Sequence, residues 1–218
     1  ARIDLIQQAK YSILLSAYIF NNDAASLSTL ALLREAAQRG VKVRIIVDGV
    51  GHQIPASLAQ HLEEVKGPDG TPNPVEIRVF HPLSILNILK SHRRMHDKIL
   101  VADREQVIIG GRNVENTYYG LEDANFMDRD VYVRGEGAIS SYDYFINEIW
   151  AGKHVEEITR DAHQWRKNRQ GKKLDHALKF LKKTKHLKLN TGYDWSQGQN
   201  DVGPVELLHC NFGPNGIE

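Results

Sequence analysis

Cysteine is nearly missing from this chain. Cys210 stands alone among 218 residues, so no internal disulfide can form, and a single thiol of this kind reads as an incidental or buried side chain. Such usage is compatible with a reducing compartment but does not establish one. Long apolar runs are lacking as well. The best, SILLSAYIF at 12–20, has the length of a strand and is interrupted by Ser16, which excludes a bilayer-spanning helix within it. Charge of one sign is not in excess either: 28 Lys and Arg face 27 Asp and Glu, for a formal net charge of +1, and this balance excludes no class of partner. There is no internal repeat. The chain opens on Ala1 rather than Met, so both ends read as boundaries inside a longer protein, and a signal or anchor segment upstream would be invisible. What is present is ordinary globular material, 41% hydrophobic and 25% charged, enough for one large domain or one and a half.

Helix and strand patterns alternate along the chain. Residues 4–9 carry Leu5, Ile6 and Ala9 at helical spacing, and 11–20 are β-rich and apolar enough for a buried central strand. After polar turn text, 27–38 place Leu27, Leu30, Ala31, Leu33 and Ala37 on one helical stripe, with Ser26 as N-cap and Gly40 as the stop. VKVRIIVDG then returns as a strand with Asp48 at its carboxyl end, and strand, helix, strand of this length predicts a right-handed crossover and a parallel pair. A short helix at 56–65, the Gly- and Pro-dense loop GPDGTPNP and the strand VEIRVF follow. Further on, Asp130–Arg134 alternates like a strand, and 139–150 form an amphipathic helix. The expected fold is α/β, with a mixed, largely parallel β-sheet sandwiched between helices.

The richest stretch is RMHDKILVADREQVIIGGRN, from Arg94 to Asn113. KILVAD reads as a strand, DREQ as a turn and VIIGG as a second strand. Alternate side chains of an extended chain share a face, so His96 and Lys98 point the same way. A cation beside an imidazole repels a metal ion but welcomes an anion, because Lys donates charge-assisted hydrogen bonds to phosphate oxygens. The expected ligand is therefore a phosphate. Asn113, after the glycine pair Gly110 and Gly111, can donate from its amide. Arg94 either extends the phosphate cradle or makes a surface salt bridge.

The spacing H-x-K-x-x-x-x-D followed by G-G-x-N, filled by His96, Lys98, Asp103, Gly110, Gly111 and Asn113, resembles the HKD motif of the phospholipase D superfamily. HRRMHDK, IIGGRNVENTYYG and FMDRDVYVRGEGAISSYDYFINEIW resemble its bacterial cardiolipin synthase branch, over about 5–150. The resemblance implies a phospholipase D-like lobe and a nucleophilic His96 that forms a phosphohistidine, while a second His protonates the departing alcohol. Lys98 and Asn113 then stabilise the transition state, with Gly110, Gly111 and Arg94 completing the substrate site and no metal or other cofactor required. Asp130 aligns with the acid that orients the imidazole in relatives, with Asp128 as the competing candidate. Asp103 belongs to the motif yet falls on the turn, where capping turn amides is the expected job.

No other histidine repeats the pattern, and in-line displacement needs one His on each side of phosphorus. The chain therefore carries half an active site, completed by a second motif downstream of Glu218 or by a dimer partner. The expected division is a catalytic lobe over 1–152, then a basic helical connector and the start of a second lobe over 153–218, with VELLHC resembling its first strand. The expected substrate is a glycerophospholipid such as phosphatidylglycerol, met by a bacterial enzyme in peripheral membrane contact, on a side that the residues do not specify. Lys-rich text around Leu174, Leu178 and Leu181 reads as a solvated helix face or as a docking surface for anionic headgroups. Alternatives are a metal-independent nuclease working as a dimer and a non-catalytic phosphate-binding lobe. Two departures from the family pattern are Ala24 and Ala25 after Asp23, where relatives often carry Gly, and Glu115 with Asn116 after the motif Asn.

Overall fold

The computed structural model describes residues 1–82, 94–158 and 161–183. In chain order these form α1 (Arg2–Gln8), β1 (Ser12–Ala17), α2 (Ala24–Gln38), β2 (Lys42–Asp48), α3 (Ala56–Glu63), β3 (Val75–Phe80), β4 (Ile99–Ala102), β5 (Gln106–Gly110), β6 (Asp130–Arg134), α4 (Glu136–Tyr144), β7 (Val155–Glu157) and α5 (Gln164–Lys183). The strands make one sheet in the order β6-β5-β4-β1-β2-β3-β7. Expected VELLHC and Cys210, and most of the stretch leading into Arg94, lie outside the described residues.

The mixed α/β sandwich is present, but its sheet is not largely parallel. Only β1–β2 and β2–β3 are parallel, whereas β1–β4, β4–β5, β5–β6 and β3–β7 are antiparallel. The reason is connection length. α2 and α3 supply the long crossovers that parallel pairing requires, and the turn after β4 is too short for one. There Asp103 and Arg104 both adopt φ near 56°, and the Glu105 amide closes on Ala102 O at 3.1 Å. Two consecutive positive-φ residues make the two-residue hairpin turn whose twist suits antiparallel strands.

Period-two alternation sends side chains to two cores. Ile13, Leu15, Val43, Ile45 and Leu100 pack with Leu33, Leu58 and Leu174 on the α1, α2, α3 and α5 side. Leu14, Ile46, Ile99 and Val101 pack with Ala138, Phe145 and Trp150 on the other. Both faces are covered, which accounts for near-continuous apolar strands. Helix α2 begins earlier than expected: Asp23, not Ser26, is the N-cap and accepts from the Ser26 amide at 3.0 Å. With the chain turned this way at φ −123°, Ala24 and Ala25 open the helix and no glycine is needed. Helix α4 continues into a π-helical segment, Phe145–Trp150. Strand β7, unanticipated, adds an edge to β3, and α5 lies on α2 and α3 through Leu174, Ala177 and Leu181.

Candidate active site

The strand directions gather the chemistry at one edge of the sheet. β1 and β2 run parallel and end there, β4 is antiparallel to β1 and starts there, β5 ends there and β6 starts there. Tyr18 therefore follows β1, Asp48 closes β2, His96 and Lys98 lead into β4, Gly110 to Asn113 close β5, and Asp128 and Asp130 open β6. Asp103 is at the opposite edge.

His96 is exposed and Lys98 is buried. They converge on one aromatic wall: the His96 and Tyr18 rings are 5.0 Å apart at 55°, and the Lys98 ammonium stands 5.6 Å from the centroid of the same ring. Lys98 Nζ donates to the His96 carbonyl at 2.7 Å, tying cation and imidazole into one unit. Burial lowers the His96 pKa below the ordinary imidazole value, the Lys98 cation lowers it further, and the Asp48 carboxylate opposes both. The imidazole thus keeps a free lone pair at neutral pH, the state a nucleophile requires. Burial likewise pushes the Lys98 ammonium down, against the carboxylates of Asp97 and Asp128.

The glycine pair has a steric reason. A Cβ on Gly110 would fall 2.1 Å from Asp130 Oδ1 and 2.6 Å from Arg129 O, and one on Gly111 would fall 2.2 Å from Asp128 Oδ2. Absence of side chains lets the carboxylates leading into β6 close over the end of β5. The two acids then diverge. Asp130 Oδ2 accepts from Arg2 Nε at 3.1 Å and Arg112 Nη1 at 3.2 Å, so arginines hold the residue expected to orient the imidazole. Asp128 instead lies over Gly111, and its charge reaches Lys98.

The remaining expected residues are also engaged by protein groups. Asn113 is buried, accepts from the Ile19 amide at 2.9 Å and donates to the Tyr118 hydroxyl at 3.3 Å. Arg94 Nη1 donates to Asp48 Oδ1 at 3.3 Å and to His81 O at 3.1 Å. Its ion pair is with a fully buried carboxylate, not at the surface. Asp103 accepts from the amides of Lys10, Tyr11 and Ser12 at 2.7–3.2 Å, so it fastens the start of β1 rather than its own turn. Asn21 Nδ2 donates to Glu115 at 2.6 Å, and the Asn116 amide donates to Asp23 at 2.8 Å, which pins the text after the motif Asn to the N-terminus of α2.

Two site residues escaped the sequence reading. Asp48 accepts from the amides of Val50 at 2.9 Å and Met95 at 3.0 Å besides Arg94, and so fixes the backbone one residue before His96. An acid ending an apolar strand was its only signal. Tyr18, first residue past β1, had none beyond that position. Among the described residues no cluster of three His, Cys, Asp or Glu side chains is arranged to hold a metal ion, and no helix is long and apolar enough to cross a membrane.

Comparison with known proteins bears on this arrangement. The family model described as cardiolipin synthase, PLD-like domain, matches residues 3–150. An uncharacterised protein of Helicobacter pylori strain J99 is 34% identical over 158 residues, covering 67% of this chain and 30% of the relative. Cardiolipin synthase C of Escherichia coli K12 is 30% identical over 145 residues, covering 62% and 29%. The chain thus spans about 30% of the length of these curated relatives. Among solved structures, phosphatidylserine synthase of Haemophilus influenzae Rd KW20 superposes with a TM-score of 0.58 at 20% identity, over 84% of this chain and 41% of that one. NucT from Helicobacter pylori gives 0.50 at 20% identity, over 69% and 86%. At such identities the likeness is one of fold.

Proposed function

The chain belongs to the cardiolipin synthase, PLD-like family, and from that membership we propose that it is the HKD-bearing lobe of a phosphatidyltransferase or phospholipase D acting on glycerophospholipids, phosphatidylglycerol among them. One observation carries the reading: an accessible imidazole beside a buried ammonium that donates to the His96 carbonyl, both against Tyr18.

In the first step a nitrogen of His96 attacks phosphorus, the P–O bond to the leaving alcohol breaks, and a His of a second HKD motif gives that alcohol its proton. In the second step the acceptor, an alcohol or water, loses its proton to that same His and attacks the phosphohistidine, restoring His96. Lys98 sits where negative charge grows on the non-bridging oxygens and stabilises it. Asp128 supports this cation through its charge. Asn113 contributes by holding the Ile19 backbone beside Tyr18, and its amide reaches a phosphoryl oxygen only by leaving Tyr118.

A second lobe downstream of Glu218 is the proposed source of the other His, with a dimer partner as the alternative source, and the whole enzyme works in peripheral contact with a bacterial membrane. Incubating the full-length protein with phosphatidylglycerol in detergent micelles tests this: cardiolipin or phosphatidic acid should form, and His96→Ala should abolish it. Vigorous turnover by residues 1–218 as a monomer would overturn the half-site view. Cleavage of single-stranded DNA alone would select the nuclease reading, which the basic face of α5 supports.

A further inference from the structure

Helix α5 carries two neighbouring stripes. Gln170, Gly171, Leu174, Ala177 and Leu181 are buried against α2 and α3. One position round the helix, Arg169, Lys172, Lys173, His176 and Phe180 recur at spacings of three and four and form one wall of an open groove of about 560 Å³. Its other wall is the entry to α2, with Asn22, Ala24 and Leu27. Because α2 leaves the sheet where β1 ends, this groove opens at the edge that carries His96.

Over its length α5 has eight Lys and Arg against one Asp. Several are spoken for: Lys167 pairs with Glu64, Lys182 lies 3.6 Å from Glu35, and Asp175 is taken by Arg34. Arg169, Lys172 and Lys173 have no acidic partner among the described residues. The fold leaves these cations facing outward beside exposed apolar groups. Phe180 extends the stripe, Trp165 stands at the start of the helix, and Val50, Phe126 and Met127 are exposed on loops at the same edge as His96.

We propose that the groove-facing stripe of α5 docks this lobe on an anionic phospholipid surface, with Arg169, Lys172 and Lys173 on the headgroup phosphates and the catalytic edge turned toward the bilayer. The choice of a membrane rests on the lipid reading above and on charge complementarity. Basic side chains interleaved with exposed aromatics on a helix that is buried on its other side match the way helices lie in a headgroup layer. Single-stranded nucleic acid is served less well, since binders of that kind line a basic channel with several stacking rings. Here the groove has only two rings, His176 and Phe180, and its α2 wall carries the Asp23 carboxylate, itself held by the Ser26 and Asn116 amides.

The test is sedimentation of the full-length protein with phosphatidylcholine vesicles, with and without phosphatidylglycerol, at two salt concentrations. Wild type and His96→Ala should both bind the phosphatidylglycerol vesicles and release in high salt. Lys172→Glu with Lys173→Glu should weaken that binding roughly 100-fold, while Lys10→Glu with Lys66→Glu, a matched reversal at the opposite edge, should leave it unchanged. Should the glutamates unfold the helix by circular dichroism, Lys172→Gln with Lys173→Gln carries the same test with a smaller expected loss. Unchanged vesicle binding by the α5 variants overturns the proposal, and so does wild type that binds single-stranded DNA but no vesicle. Turnover of micellar phosphatidylglycerol separates the two readings, because the α5 variants should retain it. Wild type without such turnover would sink the lipid chemistry and leave the docking result standing.

Discussion

Asp48→Asn is the sharpest probe of how this site is held. The Asp48 side chain is fully buried and receives three donors: the amides of Val50 and Met95 and the guanidinium of Arg94. Asparagine keeps the shape but replaces one oxygen with an amide that itself donates, so at least one donor meets another donor and Arg94 loses its counter-charge. Removing one partner of a buried ion pair costs about 3–5 kcal/mol. The Arg94 side chain is 15% exposed, so water recovers part of that, which puts the expected loss near the lower figure, about 3 kcal/mol. In urea unfolding followed by circular dichroism, a loss of this size lowers the midpoint by about 1 M or somewhat more.

A second readout separates positioning from bulk stability. Asp48 raises the His96 pKa against burial and Lys98, so its removal lets the imidazole titrate at still lower pH. In the proposed mechanism His96 attacks as the neutral imidazole, so the acid limb of kcat/KM in the full-length protein should move to lower pH while its plateau falls, because the backbone at Met95 is no longer fixed. Adding Arg94→Met to Asp48→Asn should recover part of the stability, as the unpaired cation is then gone. An Asp48→Asn variant within about 1 kcal/mol of wild type, with an unmoved acid limb, would refute the assignment of Asp48 as the clamp on His96.

Other outcomes follow from the same geometry. Gly110→Ala meets the Arg129 carbonyl just ahead of β6 as well as Asp130, whereas the three nearest atoms to a Cβ at Gly111 all belong to the Asp128 side chain. Thermal melts should therefore show the larger loss for Gly110→Ala, about 1–3 kcal/mol, while Gly111→Ala should keep its melting temperature better and lose turnover through displaced Asp128. Asp103→Ala strands three amides at the start of β1 and should cost about 1–3 kcal/mol without changing kcat below the melt; a loss of kcat in a folded protein would restore a direct catalytic role. Finally, burial lowers the pKa of His52, His61 and His96, so the unfolded chain binds these protons first. These imidazoles should lower stability as pH drops below about 6.5, against the opposite pull of Asp97, Glu63 and Glu115, whose pKa burial raises. A His52→Gln, His61→Gln variant whose melting temperature keeps the wild-type dependence on pH from 7 to 5.5 would contradict those burials.

Local chemistry was legible in the sequence wherever it depends on neighbours along the chain. The apolar strands, the helical stripes of α2 and α5, the short turn at Asp103 and the joint placement of His96 and Lys98 all rest on periods of two or three to four residues. The strand direction at β4 was also within reach, since DREQ is too short for a crossover and only a hairpin fits it. What escaped depends on distant partners. β7 is three residues, VEE, too short and polar for any pattern, and it exists because β3 offers an open edge. Asp48 becomes part of the site only when the chain returns to it 47 residues later at Met95.

The same distance separates the surroundings of the two acids at the start of β6. Asp128 and Asp130 are two residues apart, with the same functional group and the same local text, so no nearby residue separates their roles. The separation comes from Arg2, which reaches Asp130 across 128 residues and, with Arg112, occupies one oxygen of that carboxylate. Asp128 is left over Gly111, within electrostatic reach of Lys98. Spacing along the chain therefore names two candidate carboxylates, while an arginine on the first helix separates their surroundings.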